Sequence, residues 1–383
     1  MRFWPRRRRP DTPPRWEDLL PMEAMLRAEV EDVLAVEQRQ LWGRSLAFGG
    51  QLRLPPAAAL DALRARLEPQ GYTPFLREER GTAWVYALPR AGLTEQPNPL
   101  VNLVLFLATV VTTVLAGALL PIGNLAFSEL LSSPGRFREG LPFSVALLAI
   151  LGVHEFGHYT LGRRHGMPIS LPYFIPVPPP FLVGTLGAVI RLRGPVRNRR
   201  ALFDMAVAGP LAGLVLALPV YALGLSLSSV RLLPPASEAG GEFVLGFAIL
   251  PALLAQLVFG ALPPGHVIDL HPIAVAGWFG FFVTALNLIP AGQLDGGHLV
   301  YALFGRRHSL ISKLAVGGLM LIGLVFGSPT WLIWSALIVA LMGFHHGPTM
   351  DDITPLDAPR RALGVFALAL IFVLLPPVPL GVY

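Results

Sequence analysis

The amino-acid sequence reads as a polytopic α-helical membrane protein of about seven spans plus one re-entrant or surface helix, with a small N-terminal α+β cytoplasmic domain. Three observations carry that expectation. The 383 residues are 53% hydrophobic and only 14% charged, where ordinary soluble domains carry roughly a quarter charged residues. Nearly uncharged runs long enough to cross a bilayer recur throughout the later part of the chain. Residues 1–97 are polar by contrast, and Pro97-Asn98-Pro99 punctuates the change. The division expected is a soluble domain over 1–97 and a membrane domain over 98–383.

Within the first domain, Arg15 to Trp42 is predicted as an acidic amphipathic helix and Ser45 to Leu54 as a strand. Pro56 to Leu67 is predicted as a helix with Leu60, Leu63 and Leu67 on one face. Tyr72 to Leu76 and Ala83 to Leu88 form a hairpin around Glu79-Arg80-Gly81. No clustered His or nucleophile appears there, so a structural module is expected, with regulation or substrate gating as the alternative. Met1 to Arg9 has the positive flank of a signal peptide but no apolar core behind it, so the N-terminus is expected in the cytoplasm.

The expected spans are Leu100 to Leu120, Leu141 to Gly162, Ala201 to Leu225, Ile273 to Pro290, Leu310 to Gly327, Trp331 to Phe344 and Ala362 to Leu380. Phe243 to Leu262 is the ambiguous run. If it crossed, Arg306, Arg307, Lys313, Arg360 and Arg361 would lie opposite Arg163, Arg164, Arg191, Arg193, Arg197, Arg199 and Arg200, against the positive-inside bias. A re-entrant or surface segment keeps all of them on the side of Arg6 to Arg9. The net charge of +6 is therefore assigned to membrane orientation, and no nucleic-acid partner is expected.

There is no cysteine, so a metal would have to be held by His, Asp or Glu. His154-Glu155-Phe156-Gly157-His158 lies inside the apolar run that begins at Leu141. Residues four apart share one face of a helix, so both imidazoles can reach one cation while Glu155 remains available to take a proton from water. A catalytic zinc takes three protein ligands. Asp295 is the best third candidate, in a stretch where Pro290, Gly292, Gly296 and Gly297 interrupt an apolar helix. Broken backbone at membrane depth requires a protein-lined or watery cavity, and an intramembrane Asp costs about 2.5–3.5 kcal/mol unless it is offset, as by a dication. Asn287 is read either as a donor to the oxyanion or substrate backbone, or as an interhelical hydrogen-bonding residue.

His154-Glu-Phe-Gly-His158 paired with Asn287-Leu-Ile-Pro-Ala-Gly-Gln-Leu-Asp295-Gly resembles the site-2 protease family of intramembrane zinc metalloproteases. The resemblance extends through Phe203-Asp-Met-Ala-Val-Ala-Gly-Pro-Leu-Ala-Gly213 and covers roughly Leu141 to Leu303. It implies one Zn2+ per chain on His154, His158 and Asp295, with Glu155 as base, and a transmembrane protein substrate in the lipid bilayer. Gly184 to Arg193 and His271 to Trp278 further resemble the plastid and bacterial branch related to the plant yellow-green membrane metalloproteases. Ser226 to Glu242 is too short for the PDZ domain that many bacterial members carry there, so peptide sensing through PDZ is not expected.

The expected activity is endoproteolysis of membrane-spanning or membrane-anchored proteins near the cytoplasmic side. A substrate helix must locally unwind to expose its carbonyls. Gly184 to Arg193 is expected as a strand that pairs with the extended substrate, or as an ordinary loop, and Pro172 to Pro180 as a stiff connector at the membrane surface. His345, His346, Asp351 and Asp352 form either a second metal cluster or a solvated loop, and His165, His266, His271, His298 and His308 are read as structural. The rival readings are a cation or proton transporter, disfavoured because no second half repeats the motif, and a zinc-binding scaffold without proteolysis. A bacterial plasma membrane is favoured over a plastid one because no Ser-rich transit segment is seen.

Overall fold

Apolar residues spaced three and four apart place Leu60, Leu63 and Leu67 on one buried helix face, and that face covers a sheet. The computed structural model describes residues 16–42, 45–90, 98–120, 134–178, 181, 183–233 and 243–382, so Arg6 to Arg9, Pro97 and Pro179-Pro180 lie outside the described residues. The N-terminal unit runs α1 (Trp16–Val30), β1 (Leu34–Trp42), β2 (Ser45–Leu52), α2 (Pro56–Leu67), β3 (Tyr72–Glu79) and β4 (Thr82–Pro89). Its strands form one sheet in the order β1-β2-β4-β3. Leu26, Leu34, Phe48, Leu63, Leu76 and Val85 fill the space between sheet and helices.

The expected helix over Arg15 to Trp42 is corrected here. It ends at Val30, and Leu34–Trp42 is a strand antiparallel to β2, with Leu34 opposite Leu52 and Trp42 opposite Ser45. Glu37-Gln38-Arg39-Gln40 has helix-favouring composition, but sheet pairing and burial of Leu34 override so weak a local preference. The β3–β4 hairpin turns on Arg80 and Gly81, both left-handed, with Glu79 opposite Thr82, the geometry that matches strand twist in a two-residue turn.

The rest of the chain comprises α3 (Pro99–Leu119), α4 (Leu141–Arg164), β5 (Tyr173–Pro176), β6 (Thr185–Val189), α5 (Arg199–Ser226), β7 (Ser229–Leu232), β8 (Phe243–Leu245), α6 (Ile249–Phe259), β9 (His266–Asp269), α7 (Pro272–Leu288), α8 (Asp295–Phe304), α9 (His308–Val325), α10 (Pro329–Leu337), α11 (Ala358–Ala369), α12 (Ile371–Leu374) and β10 (Leu380–Val382). Among the described residues, four helical runs are long and apolar enough to cross a membrane: Pro99–Leu119, Gly135–Arg164, Arg199–Ser226 and Asp295–Val325. Ile249–Phe259, Pro272–Leu288 and Pro329–Met342 are shorter apolar helices. Large apolar side chains such as Leu103, Leu107, Leu314, Leu321 and Leu324 point outward, which a soluble fold would bury and a bilayer accommodates. The protein is a multi-pass membrane protein.

The ambiguous run is too short to cross, as the re-entrant or surface reading has it, and one expected span differs from the structure. Phe243 to Leu262 contains a helix of 11 residues, about 16 Å long and too short for a hydrocarbon core of about 30 Å. Ala362 to Leu380 is helical only to Leu374, because Pro376 and Pro377 cannot supply the amides that would continue it, and Leu380–Val382 instead pairs with β8. The Asp295–Val325 run is interrupted by a 3-10 turn over Gly305–Arg307. Gly305 has φ 55° and packs against the Arg199 guanidinium, which divides α8 from α9.

Contacts at their ends fix the directions of α5 and α7. Asn198 bridges Asp351 beside the N-terminal sheet, so α5 starts on that side. At its other end Gly224 meets Ala274 at the start of α7, and β7 pairs with β9. Helix α7 therefore runs back toward the N-terminal unit and delivers Asn287 and the broken segment to the depth of the α4 histidines. Phe143, Leu147, Ile150, Ala217, Tyr221 and Phe281 pack α4, α5 and α7 together.

Candidate metal centre

His154 and His158 stand one turn apart on the buried face of α4. His158 Nε2 lies 3.1 Å from His154 Nε2 and 3.1 Å from Asp295 Oδ2, and His154 Nε2 lies 3.3 Å from the same carboxylate oxygen. Asp295 opens α8, immediately after the Ile289 to Leu294 break, and so reaches across from a segment 137 residues away from His158. Glu155 is buried beside this cluster. Asn287, at the end of α7, places Nδ2 3.2 Å from His154 Nε2.

The donor set fits a cation. His158 Nδ1 donates to the Met205 carbonyl at 2.8 Å, which in a neutral imidazole leaves Nε2 with a lone pair directed at the cluster. Two imidazole nitrogens and a carboxylate oxygen thus converge within 4.8 Å, mostly buried and oxygen/nitrogen in type, a set suited to zinc. Uncompensated, three such acceptors in a desolvated site are costly. This is the one such cluster among the described residues.

Helix α5 closes the back of the site with bare backbone. A Cβ at Gly209 would lie 2.1 Å from His158 Nε2, and one at Gly213 would lie 3.2 Å from His154. The resemblance reaches the Ala-Gly-Pro stretch, but the Met205 carbonyl and the Gly209 contact carry no side-chain signal in the sequence.

Comparison with known proteins places this geometry. Residues 142–328 match the family model described as peptidase family M50. The probable zinc metalloprotease EGY2, chloroplastic, of Arabidopsis thaliana is 29% identical over 369 residues, covering 91% of this chain and 63% of that protein. Its counterpart of the same name in Oryza sativa subsp. indica is 31% identical over 352 residues, covering 87% of this chain and 62% of the relative. Residues 142–328 belong to peptidase family M50.

The probable zinc metalloprotease EGY1, chloroplastic, of Arabidopsis thaliana is 31% identical over 62% of this chain and 43% of its own length. The chain spans less than two thirds of the length of these curated relatives. No solved structure matches it.

Other groups singled out in the sequence lie elsewhere. Gly184 to Arg193 contains β6, which pairs antiparallel with β5. Within the expected connector Pro172 to Pro180, Tyr173–Pro176 is the paired strand β5, and the hairpin follows α3. Asn102 donates to the Leu171 and Pro172 carbonyls, and Gly184 packs on the Thr112 carbonyl, ten residues or about 15 Å further along that helix. His165 pairs with Asp204 at 2.9 Å, and Arg360 grips the same carboxylate at 2.7 and 2.8 Å. Of His345, His346, Asp351 and Asp352, only His345 is exposed. His346 meets His298 at 2.6 Å, whereas Asp352 accepts from Arg199 and Tyr301. Neither a solvated loop nor a metal cluster describes them.

Proposed function

We propose that the chain is a zinc-dependent intramembrane metalloendopeptidase that cuts membrane-spanning or membrane-anchored proteins near the face carrying the N-terminal unit. The supporting observation is the convergence of His154 Nε2, His158 Nε2 and Asp295 Oδ2 within a membrane-spanning bundle, next to buried Glu155. These three residues would hold one zinc ion per chain. Bound there, zinc polarises a carbonyl and lowers the pKa of water to about 7.

Glu155 takes the proton of the attacking water as its oxygen bonds to the scissile carbonyl carbon. It then delivers that proton to the amine nitrogen as the C–N bond breaks. Asn287 donates its side-chain N–H to the carbonyl oxygen as negative charge develops on it. Met205 holds His158 in the tautomer that presents Nε2. The β5–β6 hairpin beside α3 offers backbone pairing to an unwound substrate segment. Removing that segment from its helix is the conformational cost of exposing its carbonyls.

We further propose a soluble unit over 1–97, a membrane domain over 98–383 with its catalytic core about 141–303, and seven crossings with α6 lying re-entrant or at the surface. The side bearing Arg163, Arg164, Arg199, Arg200, Arg306 and Arg360 is then the cytoplasmic one under the positive-inside bias. The relatives' names say chloroplastic and lend no support to a bacterial plasma membrane, so the compartment is proposed only as the side of this arginine cluster.

The test is cleavage of a labelled single-span substrate in proteoliposomes, with metal content measured beside it. Wild type and Glu155→Gln are both expected to carry one zinc, with turnover in wild type alone. Turnover in Glu155→Gln would remove the assigned base, and a wild type that binds no zinc would remove the reading.

A further inference from the structure

The loop after α10 joins two parts of the molecule that lie far apart in sequence. At one end His346 Nδ1 donates to the Gly347 carbonyl at 2.5 Å, which leaves Nε2 as an acceptor. His298 Nδ1 donates to that Nε2 across 2.6 Å. Tyr301 stacks flat on the His346 ring, with centroids 4.2 Å apart and planes 18° apart. His298 and Tyr301 stand one and two turns beyond Asp295 on α8, so this one imidazole grips the helix that carries the carboxylate.

A few residues on, the same loop is built into the N-terminal sheet. Leu76 N donates to the Met350 carbonyl at 2.6 Å and Asp352 N to the Leu76 carbonyl at 3.0 Å, which extends the sheet at its β3 edge. On its other side Met350 N and Asp351 N donate to the Val196 and Arg197 carbonyls, each at 2.8 Å. The Met350 side chain is part of the N-terminal core. Asp352 completes the link, accepting from Arg199 at 3.0 Å and from the Tyr301 hydroxyl at 2.9 Å.

We propose that His346 is a positioning residue for Asp295, and that residues 346–352 couple the N-terminal sheet to the metal centre. The proposal rests on the reading of His154, His158 and Asp295 as ligands. His346 touches no ligand itself. It fixes the rotation of α8 through His298 and Tyr301, and hence where the Asp295 oxygen stands, while the far end of its loop is held by backbone bonds to Leu76. Coupling of this kind is reciprocal: metal at the centre must tighten the sheet junction by as much as the junction tightens the metal.

The full-length protein in detergent, loaded with cobalt in place of zinc, provides the first readout, because the visible cobalt bands report ligand geometry without any turnover. His346→Ala is expected to shift those bands and to speed loss of zinc to a chelator about tenfold, the lower end for residues that orient a ligand. His346→Gln retains an acceptor near the Nε2 position and is expected to restore the wild-type bands. The second readout is amide exchange in wild type, zinc-loaded against chelated. Zinc is expected to slow exchange at Leu76, Met350, Asp351 and Asp352, and His346→Ala to abolish that difference.

Wild-type bands and zinc retention in His346→Ala would overturn the proposal and leave the ligand assignment standing. A wild type that binds neither metal would overturn the ligand assignment and this proposal with it. Should His346→Ala fail to fold, the wild-type exchange comparison decides: no added protection at the four amides overturns the coupling.

Discussion

His158 Nδ1 donates to the main-chain oxygen of Met205 at 2.8 Å, so an imidazole on one membrane helix is aimed by the backbone of the next. The arrangement depends on how closely α5 approaches α4. At Gly209 that approach leaves no room for even one carbon, since its Cβ would lie 2.1 Å from His158 Nε2.

Gly209→Ala is therefore expected to displace the His158 ring and to weaken zinc binding about 10- to 100-fold, the range for lost ligand orientation. Gly213→Ala, whose Cβ would meet His154 at 3.2 Å, needs a shift of only a few tenths of an ångström and is expected to cost far less. Competitive zinc titration against a chromophoric chelator separates the two. Equal affinities for both variants would mean that the helix contact does not set the imidazole.

Asn287 is expected to act on turnover and not on metal. Its amide nitrogen is 3.2 Å from His154 Nε2, at the rim of the cluster, and it comes from α7 where the backbone is about to break at Ile289. Asn287→Ala is expected to keep one zinc and to lose about 10²–10³ in kcat, the usual effect of removing one oxyanion donor. Loss of zinc in step with turnover would instead make Asn287 a structural partner of His154.

What the sequence makes legible is what chemistry or periodicity constrains. His154 and His158 had to share a helix face because four residues span about one turn, and an isolated Asp295 in broken apolar backbone had few other uses. Helix α2 was legible to the residue, since Pro56 opens it and three leucines mark its inner face. The strand β1 was not, because Glu37 to Gln40 carry helix-favouring side chains and pairing with β2 is a tertiary fact. Prolines at 172, 176 and 178 disguised β5 as a connector, although Pro172 and Pro178 lie outside the strand and Pro176, opposite Thr185, follows a register irregularity in a two-stranded hairpin. The Met205 carbonyl left no trace at all, being backbone. His298 and His346 are 48 residues apart, a separation on which no periodicity bears.

The N-terminal unit is held by burial and backbone pairing more than by its ion pairs. Arg197 contacts both oxygens of Asp61, at 2.7 and 2.8 Å, but both side chains are about half exposed, and exposed pairs contribute about 0–1 kcal/mol. Arg197→Ala is expected to leave thermal unfolding of the unit nearly unchanged. Met350→Ala removes a side chain that is 4% exposed in its core and is expected to cost about 2–5 kcal/mol. Chemical denaturation of both variants followed by tryptophan fluorescence would rank them, and the reverse order would show that charge, not packing, seats the unit.

Gly184 ties the β5–β6 hairpin to α3. It has φ +73°, and a Cβ there would lie 2.3 Å from the Thr112 carbonyl oxygen, so both conformation and space exclude a side chain. Gly184→Ala is expected to push β6 away from α3 without touching the metal cluster. If β6 is where extended substrate pairs, the variant keeps its zinc and raises KM severalfold, while kcat on bound substrate changes little, because binding and not the chemical step is impaired. Steady-state cleavage of a single-span substrate at varied mole fraction in proteoliposomes measures both constants. A fall in kcat with KM unchanged would move the hairpin from substrate pairing to support of the catalytic groups, and unchanged values for both would remove it from the reaction altogether.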